Sequence, residues 1–141
     1  MAYTLKKTFR FESAHRLAKN YPGKCKNIHG HSWNGNVEVT FEKLGQYDMA
    51  MDFSILKVFL KKLEDNLDHK LWLWELDEDF VQMANFHNME IVTFESNPTS
   101  EVVAKYIWQQ ACAYLITNKI GFESVAVTVD ETCTSSCRYS E

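Results

Sequence analysis

The chain has 141 residues, 24% charged and 45% hydrophobic, with a formal net charge of -4. This is the length and composition of a single globular domain spanning 1–141, with enough chain to bury about two thirds of its unfolded surface. The negative balance argues against a nucleic-acid binder working through a broad basic face. It leaves room for an anionic small molecule at a local cluster such as Arg16, Lys19, Lys24 and Lys26. No apolar run reaches membrane-spanning length, and the N-terminus lacks the charged-then-apolar order of a signal peptide. The expectation is a cytoplasmic protein with no membrane partner, in which Cys25, Cys112, Cys133 and Cys137 are reduced thiols.

In chain order, Phe9 and Phe11 alternate with polar residues over 3–12, a half-buried strand leading into Ser13-Ala14-His15. A loop from Lys19 to Asn27 is punctuated by Pro22 and Gly23. Alternation resumes from His31 to Lys43, through Val37, Val39 and Phe41, and Tyr47 to Met51 reads as a shorter strand. Asp52 is an N-cap candidate for a helix over roughly 53–67, with Leu56, Phe59, Leu60, Leu63 and Leu67 on one face. Residues 70–88 carry an apolar run, Leu71-Trp72-Leu73-Trp74, and room for a short helix at 78–84; Met89 to Phe94 reads as a strand. Asn97-Pro98-Thr99-Ser100-Glu101 is a helix start, with Thr99 or Ser100 as cap, and the helix runs to about Asn118 with Gly121 as terminator. Val125, Val127 and Val129 alternate in a last strand ending at Asp130-Glu131. The order predicts an α+β domain with helices on one face of a largely antiparallel sheet.

The chemistry concentrates in Cys25-Lys26-Asn27-Ile28-His29-Gly30-His31. In an extended strand, residues two apart share a face, so His29 and His31 can present two imidazoles to one borderline metal ion such as zinc. His15 is the best-placed third ligand. It ends the first strand, which a hairpin-like connection pairs with the His29–His31 strand, and three histidines leave a coordination position open for water or substrate. Cys25 is a rival ligand in a Cys-His-His set. Cys133 and Cys137 are either ligands of a separate site or unpaired thiols in a C-terminal turn. Asp68-His69 either finishes its helix or forms an aspartate-oriented imidazole able to take a proton from a thiol. Glu131 and Glu101 also read as a solvated strand end and a capping acid, and His87 as a loop residue.

Six ordered blocks then stand together: Phe11-Glu12-Ser13-Ala14-His15, Cys25-x-x-x-His29-Gly30-His31, Met51-Asp52-Phe53, Leu67-Asp68-His69, Asn97-Pro98-Thr99-Ser100-Glu101 and Val129-Asp130-Glu131-Thr132. Together they resemble the 6-pyruvoyltetrahydropterin synthase / 6-carboxytetrahydropterin synthase family almost end to end. The spacing from Cys25 to His29 and the ending Glu131-Thr132-Cys133-Thr134-Ser135-Ser136-Cys137 are most similar to the bacterial queuosine-pathway branch. The resemblance implies the tunnelling fold, a four-stranded antiparallel sheet backed by two helices on one face. It implies a homohexamer of two stacked trimers with sites between subunits. It also implies zinc on His15, His29 and His31, Cys25 as catalytic thiol with Asp68 and His69 completing its relay, and Glu131, Thr99 and Glu101 binding the pterin. The implied reaction converts 7,8-dihydroneopterin triphosphate to 6-carboxy-5,6,7,8-tetrahydropterin, acetaldehyde and triphosphate. A pyruvoyl-forming paralogue and a non-catalytic zinc or pterin binder are the alternatives. Arg16, Lys24 and Lys26 are candidates for the triphosphate or ordinary loop charges. The chain departs from the family in Lys70-Leu71-Trp72-Leu73-Trp74, in a longer 70–96 segment and in Asp48, where glycine is frequent.

Overall fold

Strict alternation of large apolar and polar residues builds the two long strands that organise the molecule, β1 (Tyr3–His15) and β2 (His29–Phe41). The computed structural model describes residues 1–141. The two strands pair antiparallel over their whole length, from Tyr3 opposite Phe41 to His15 opposite His29. Odd-numbered residues of both face the core, where Phe9, Phe11, Trp33, Val37, Val39 and Phe41 are buried, while the even-numbered ones face away.

The remaining elements are α1 (Phe53–Leu67), β3 (Leu71–Trp74), α2 (Glu78–Phe86), β4 (Ile91–Phe94), α3 (Ser100–Thr117), β5 (Ser124–Thr132) and β6 (Ser135–Ser140). The sheet order is β4-β3-β1-β2-β5-β6. The expected four-stranded antiparallel sheet is therefore a six-stranded mixed one. β3 runs parallel to β1 and β4 parallel to β3, because α2 crosses between them; β6 adds an antiparallel hairpin strand beside β5. β3 meets β1 at only two positions, Ala14 with Leu71 and His15 with Trp72.

Helices α1 and α3 cover the odd face, burying Leu56, Phe59, Leu60, Leu63 and Leu67 from α1 and Val103, Ala104, Ile107, Ala111 and Leu115 from α3. Each such buried Val, Leu, Ile or Phe side chain stabilises the fold by about 1.5–3 kcal/mol. The third helix, α2, lies on the opposite face, where Ala84, Phe80 and Val81 pack with Leu71, Leu73 and Ala14. Both long helices begin on side-chain caps: Asp52 accepts from the Ser54 N–H at 2.8 Å and Thr99 from the Val102 N–H at 3.3 Å. The expected strand at Tyr47–Met51 is instead a short 3-10 turn and loop, in which Tyr47 and Asp48 adopt left-handed φ of 61° and 58°. Gly121 does not terminate α3. The helix stops at Thr117, and Lys119 takes the left-handed position with φ 59°. No helix is long and apolar enough to cross a membrane.

Gly35 marks the tightest place in the sheet. A methyl group there would meet the Thr128 carbonyl oxygen and the Phe9 ring. Gly35→Ala is expected to destabilise the protein by about 3 kcal/mol, measured by urea unfolding, since neither backbone nor buried ring can give way. An unchanged midpoint would mean that the strands part freely here.

Candidate active site

The antiparallel register that sets His15 opposite His29 also brings His31 onto the same face, two residues further along β2. The ligand nitrogens of His15, His29 and His31 all lie within 4.8 Å of one another. Trp33 forms the floor beneath them, its ring centroid 5.1 Å from His15 and 5.2 Å from His31, and its indole N–H donates to the Ser13 carbonyl at 3.2 Å. Trp72 backs Trp33 at 4.7 Å. Sequence reading did not single out Trp33, although its place two residues after His31 on an alternating strand carried that information.

The ring protons of this cluster are fixed by carbonyls. His15 Nδ1–H donates to the Pro98 carbonyl at 2.8 Å and His29 Nδ1–H donates to the Asn27 carbonyl at 2.7 Å. A carbonyl can only accept, so each Nδ1 carries the proton and each Nε2 presents a lone pair. Those two Nε2 atoms face each other at 3.1 Å, and His31 Nε2 is buried without a hydrogen-bond partner. Lone pairs brought together in this way repel unless a cation lies between them. Three neutral imidazoles, two already held by outer carbonyls, are a donor set suited to zinc with a position left open. The residues fit the metal.

Burial favours the neutral forms of His15 and His31. Desolvation lowers the His15 pKa to about 4 from 6.5, with further lowering by His29 and His31 opposed by the Pro98 carbonyl. Desolvation also lowers His31, against the raising effect of Glu131. Unfolded histidine takes up a proton below about pH 6.5, whereas folded His15 does so only near 4, so between these values the unfolded state binds more protons. Stability of the metal-free protein therefore falls as pH drops through this window. The His15 contribution is a loss of about 2 kcal/mol between about pH 7.5 and about pH 5, readable by urea unfolding after chelation. A flat profile would mean that His15 is hydrated.

Glu131 lies on the helix face near the end of β5, and its Oε1 is 3.6 Å from the Nε2 of both His15 and His31. Thr99 caps α3 with its hydroxyl, and Glu101, in the first turn, is exposed and accepts from the Ser100 hydroxyl at 3.3 Å. Glu101 also lies close enough to Cys137 to add to the burial that raises that thiol's pKa. All four cysteines are free. Cys137 is on β6 rather than in a turn, and Cys133 lies exposed in the β5–β6 connection.

Asp68 and His69 follow α1 along the edge of β1. Asp68 Oδ2 accepts from His69 Nδ1–H at 2.8 Å, and its Oδ1 accepts from the Glu12 backbone N–H at 2.8 Å. The His69 N–H donates to the Glu12 carbonyl at 2.7 Å, holding His69 at φ 56°. The Glu12 N–H is the main cause of the lowered Asp68 pKa; desolvation, next in size, opposes it, and the His69 hydrogen bond adds to the lowering. His69 opens into a cavity of about 520 Å³ shared with Glu12, Ser32, Lys70 and Met89, on the side of the sheet away from α1 and α3. Cys25, half-buried in the 3-10 turn Lys24–Lys26, lines neither that cavity nor the one of about 650 Å³ beside Glu131. One chain thus gathers the histidines and Glu131, while Cys25 stays outside the cavity into which His69 opens.

Of the basic candidates, Arg16 is committed internally: its Nε is 3.4 Å from Asp77 Oδ2, and its guanidinium lies 3.9 Å from the centre of the Phe80 ring. Lys24 and Lys26 are exposed on either side of Cys25.

Fold and site together define an α+β domain with three clustered imidazoles that could hold a metal ion. The profile of the family described as 6-pyruvoyl tetrahydropterin synthase matches residues 4–141, and the chain belongs to this family. Two curated relatives, both named 6-carboxy-5,6,7,8-tetrahydropterin synthase, come from Bacillus subtilis and Synechocystis. The first is 34% identical over 98% of the chain and 85% of the relative, the second 35% over 94% and 89%. An uncharacterized protein from Wolinella succinogenes shares the fold, with a TM-score of 0.83, 19% identity and coverage of 99% of this chain and 98% of its own. The Caenorhabditis elegans 6-pyruvoyl tetrahydropterin synthase superposes with a TM-score of 0.72 at 26% identity, over 100% of this chain and 96% of its own.

Proposed function

We propose that the protein is a zinc-dependent lyase converting 7,8-dihydroneopterin triphosphate and water to 6-carboxy-5,6,7,8-tetrahydropterin, acetaldehyde and triphosphate, the pterin product being the one named in its curated relatives. The observation that carries the reading is the meeting of three lone-pair-bearing imidazoles with the Glu131 carboxylate at one end of the sheet. Zinc, when bound, supplies Lewis-acid polarisation of the substrate's side-chain hydroxyls. The protein's own groups do the rest. Glu131 accepts adjacent N–H donors of the pterin edge, with Thr99 and Glu101 as the further pterin contacts. Cys25 as thiolate and His69 move protons on and off the side-chain carbons. Asp68, kept ionised by the Glu12 N–H, fixes the His69 tautomer so that Nε2 is the working nitrogen. Lys24 and Lys26, flanking the thiol, take the triphosphate.

The working unit in this proposal is a cytoplasmic homohexamer, a dimer of trimers serving queuosine-type 7-deazaguanine synthesis. Two observations support subunit-spanning sites. Cys25 does not line the cavity of about 520 Å³ into which His69 opens, and β1 from Tyr3 to Phe11 has no strand partner on the side away from β2, while β6 forms the opposite edge.

Incubation of the zinc-loaded protein with 7,8-dihydroneopterin triphosphate is expected to release acetaldehyde with a carboxylated pterin. A pyruvoyl pterin would transfer the protein to the 6-pyruvoyl-forming activity, and unchanged substrate would leave a zinc or pterin binder.

A further inference from the structure

The thiol loop leaves β1 at Arg16, which pairs with Asp77, and returns to β2 at Ile28, just after the Asn27 carbonyl that accepts from His29; between these ends three of its backbone N–H groups donate within the loop. The Leu17 N–H donates to the Cys25 carbonyl at 2.9 Å, the Lys26 N–H to Gly23 at 3.2 Å and the Asn27 N–H to Lys24 at 3.1 Å. Between those two ends the loop is held to the rest of the molecule by the side chain of Asn97. Asn97 Oδ1 accepts from the Lys19 backbone N–H at 2.8 Å, and Asn97 Nδ2 donates to the Lys19 carbonyl at 3.1 Å. The amide thus copies both hydrogen bonds of a strand neighbour. Lys19 is two residues from Leu17, whose N–H holds the carbonyl of Cys25, so the path from Asn97 to the thiol residue is a short run of hydrogen-bonded backbone. The adjacent residue, Pro98, holds His15 through its carbonyl, and Thr99 begins α3.

We propose that Asn97 is a positioning residue for Cys25, setting the thiol loop in register with the metal cluster by pairing with Lys19 as a strand would. The catalytic consequence rests on the proposed role of Cys25; the positioning itself does not. Side-chain changes at Asn97 leave the Pro98 carbonyl in place, so thiol placement is separable from metal binding. Asn97→Ala removes both bonds. Asn97→Asp keeps the acceptor for the Lys19 N–H and sets a carboxylate oxygen against the Lys19 carbonyl.

The test uses the zinc-loaded full chain and iodoacetamide, with alkylation resolved at each cysteine by peptide mass. In both variants Cys25 is expected to alkylate about fivefold faster, with zinc stoichiometry and the rate at Cys112 in α3 unchanged. A fall in kcat of about tenfold or more, larger than the change in KM, follows from misplacement of a reacting group. Cys25 alkylation unchanged in both variants overturns the proposal. So does a parallel rise at Cys112, which would report general loosening. Turnover of Cys25→Ala separates the two layers: if that variant is fully active the catalytic reading fails, and the alkylation rates still decide what Asn97 does.

Discussion

Cys25→Ala is expected to keep its zinc and its assembly and to lose about a thousandfold or more in turnover of the pterin triphosphate. The magnitude is that of removing a proton-transferring group from a carbon-acid reaction. Metal retention follows from the geometry, because the three imidazoles converge without Cys25 and two of them are held by the Pro98 and Asn27 carbonyls. Cys25 also buries little, so its truncation leaves no large cavity. Zinc content by elemental analysis, oligomer size by light scattering and product formation by chromatography give the three readings. Loss of zinc together with activity would return Cys25 to the rival Cys-His-His ligand set. Full activity with zinc bound would remove it from the chemistry.

His15→Ala is expected to abolish stoichiometric metal binding, with affinity falling about a hundredfold or more, and to lower the stability of the metal-free protein by about 2 kcal/mol. His15 is 1% exposed, against partly exposed His29 and His31, and it joins β1 to the loop before α3 through Pro98. Its removal takes one of three donors, leaves the Pro98 carbonyl without its partner and opens a void beside Trp33. His31→Ala should cost metal to a similar extent with less stability, since its Nε2 has no protein partner to lose. Zinc titration against a competing chelator and urea unfolding measure the two effects. Tight stoichiometric zinc in His15→Ala would place the metal elsewhere.

The parts of this molecule legible from sequence are those in which one period dominates. Alternation located β1, β2 and β5, helical spacing located α1 and α3, and Asp52 and Thr99 cap as side-chain chemistry predicts. Leu71-Trp72-Leu73-Trp74 was opaque because β3 is buried on both faces, Trp72 against the main core and Leu71 and Leu73 against α2; a run apolar at every position carries no period. β6 escaped for the opposite reason: it is a polar edge strand whose only inward residues, Cys137 and Tyr139, are half-buried. The expected strand at Tyr47–Met51 failed on backbone conformation, since left-handed φ at two successive non-glycine residues leaves no trace in hydrophobicity. In the site, residue types and spacing pointed to the three histidines that the register brings together. Nothing in the spacing revealed which carbonyls orient the rings, because Pro98 lies far along the chain from His15. Nor did it reveal that Arg16 is spent on Asp77 and Phe80.

The outer strands β3 and β4 are joined to the rest of the sheet at Ala14 and His15 alone, and the second of these is a member of the metal cluster. The peptide that carries the His15 imidazole is thus one of the two rungs that seat β3 in the sheet, beside the core packing of Trp72 and the Arg16–Asp77 pair that hold the same flank. An ion bound among the three rings would therefore also steady the start of β3, a strand that it never touches.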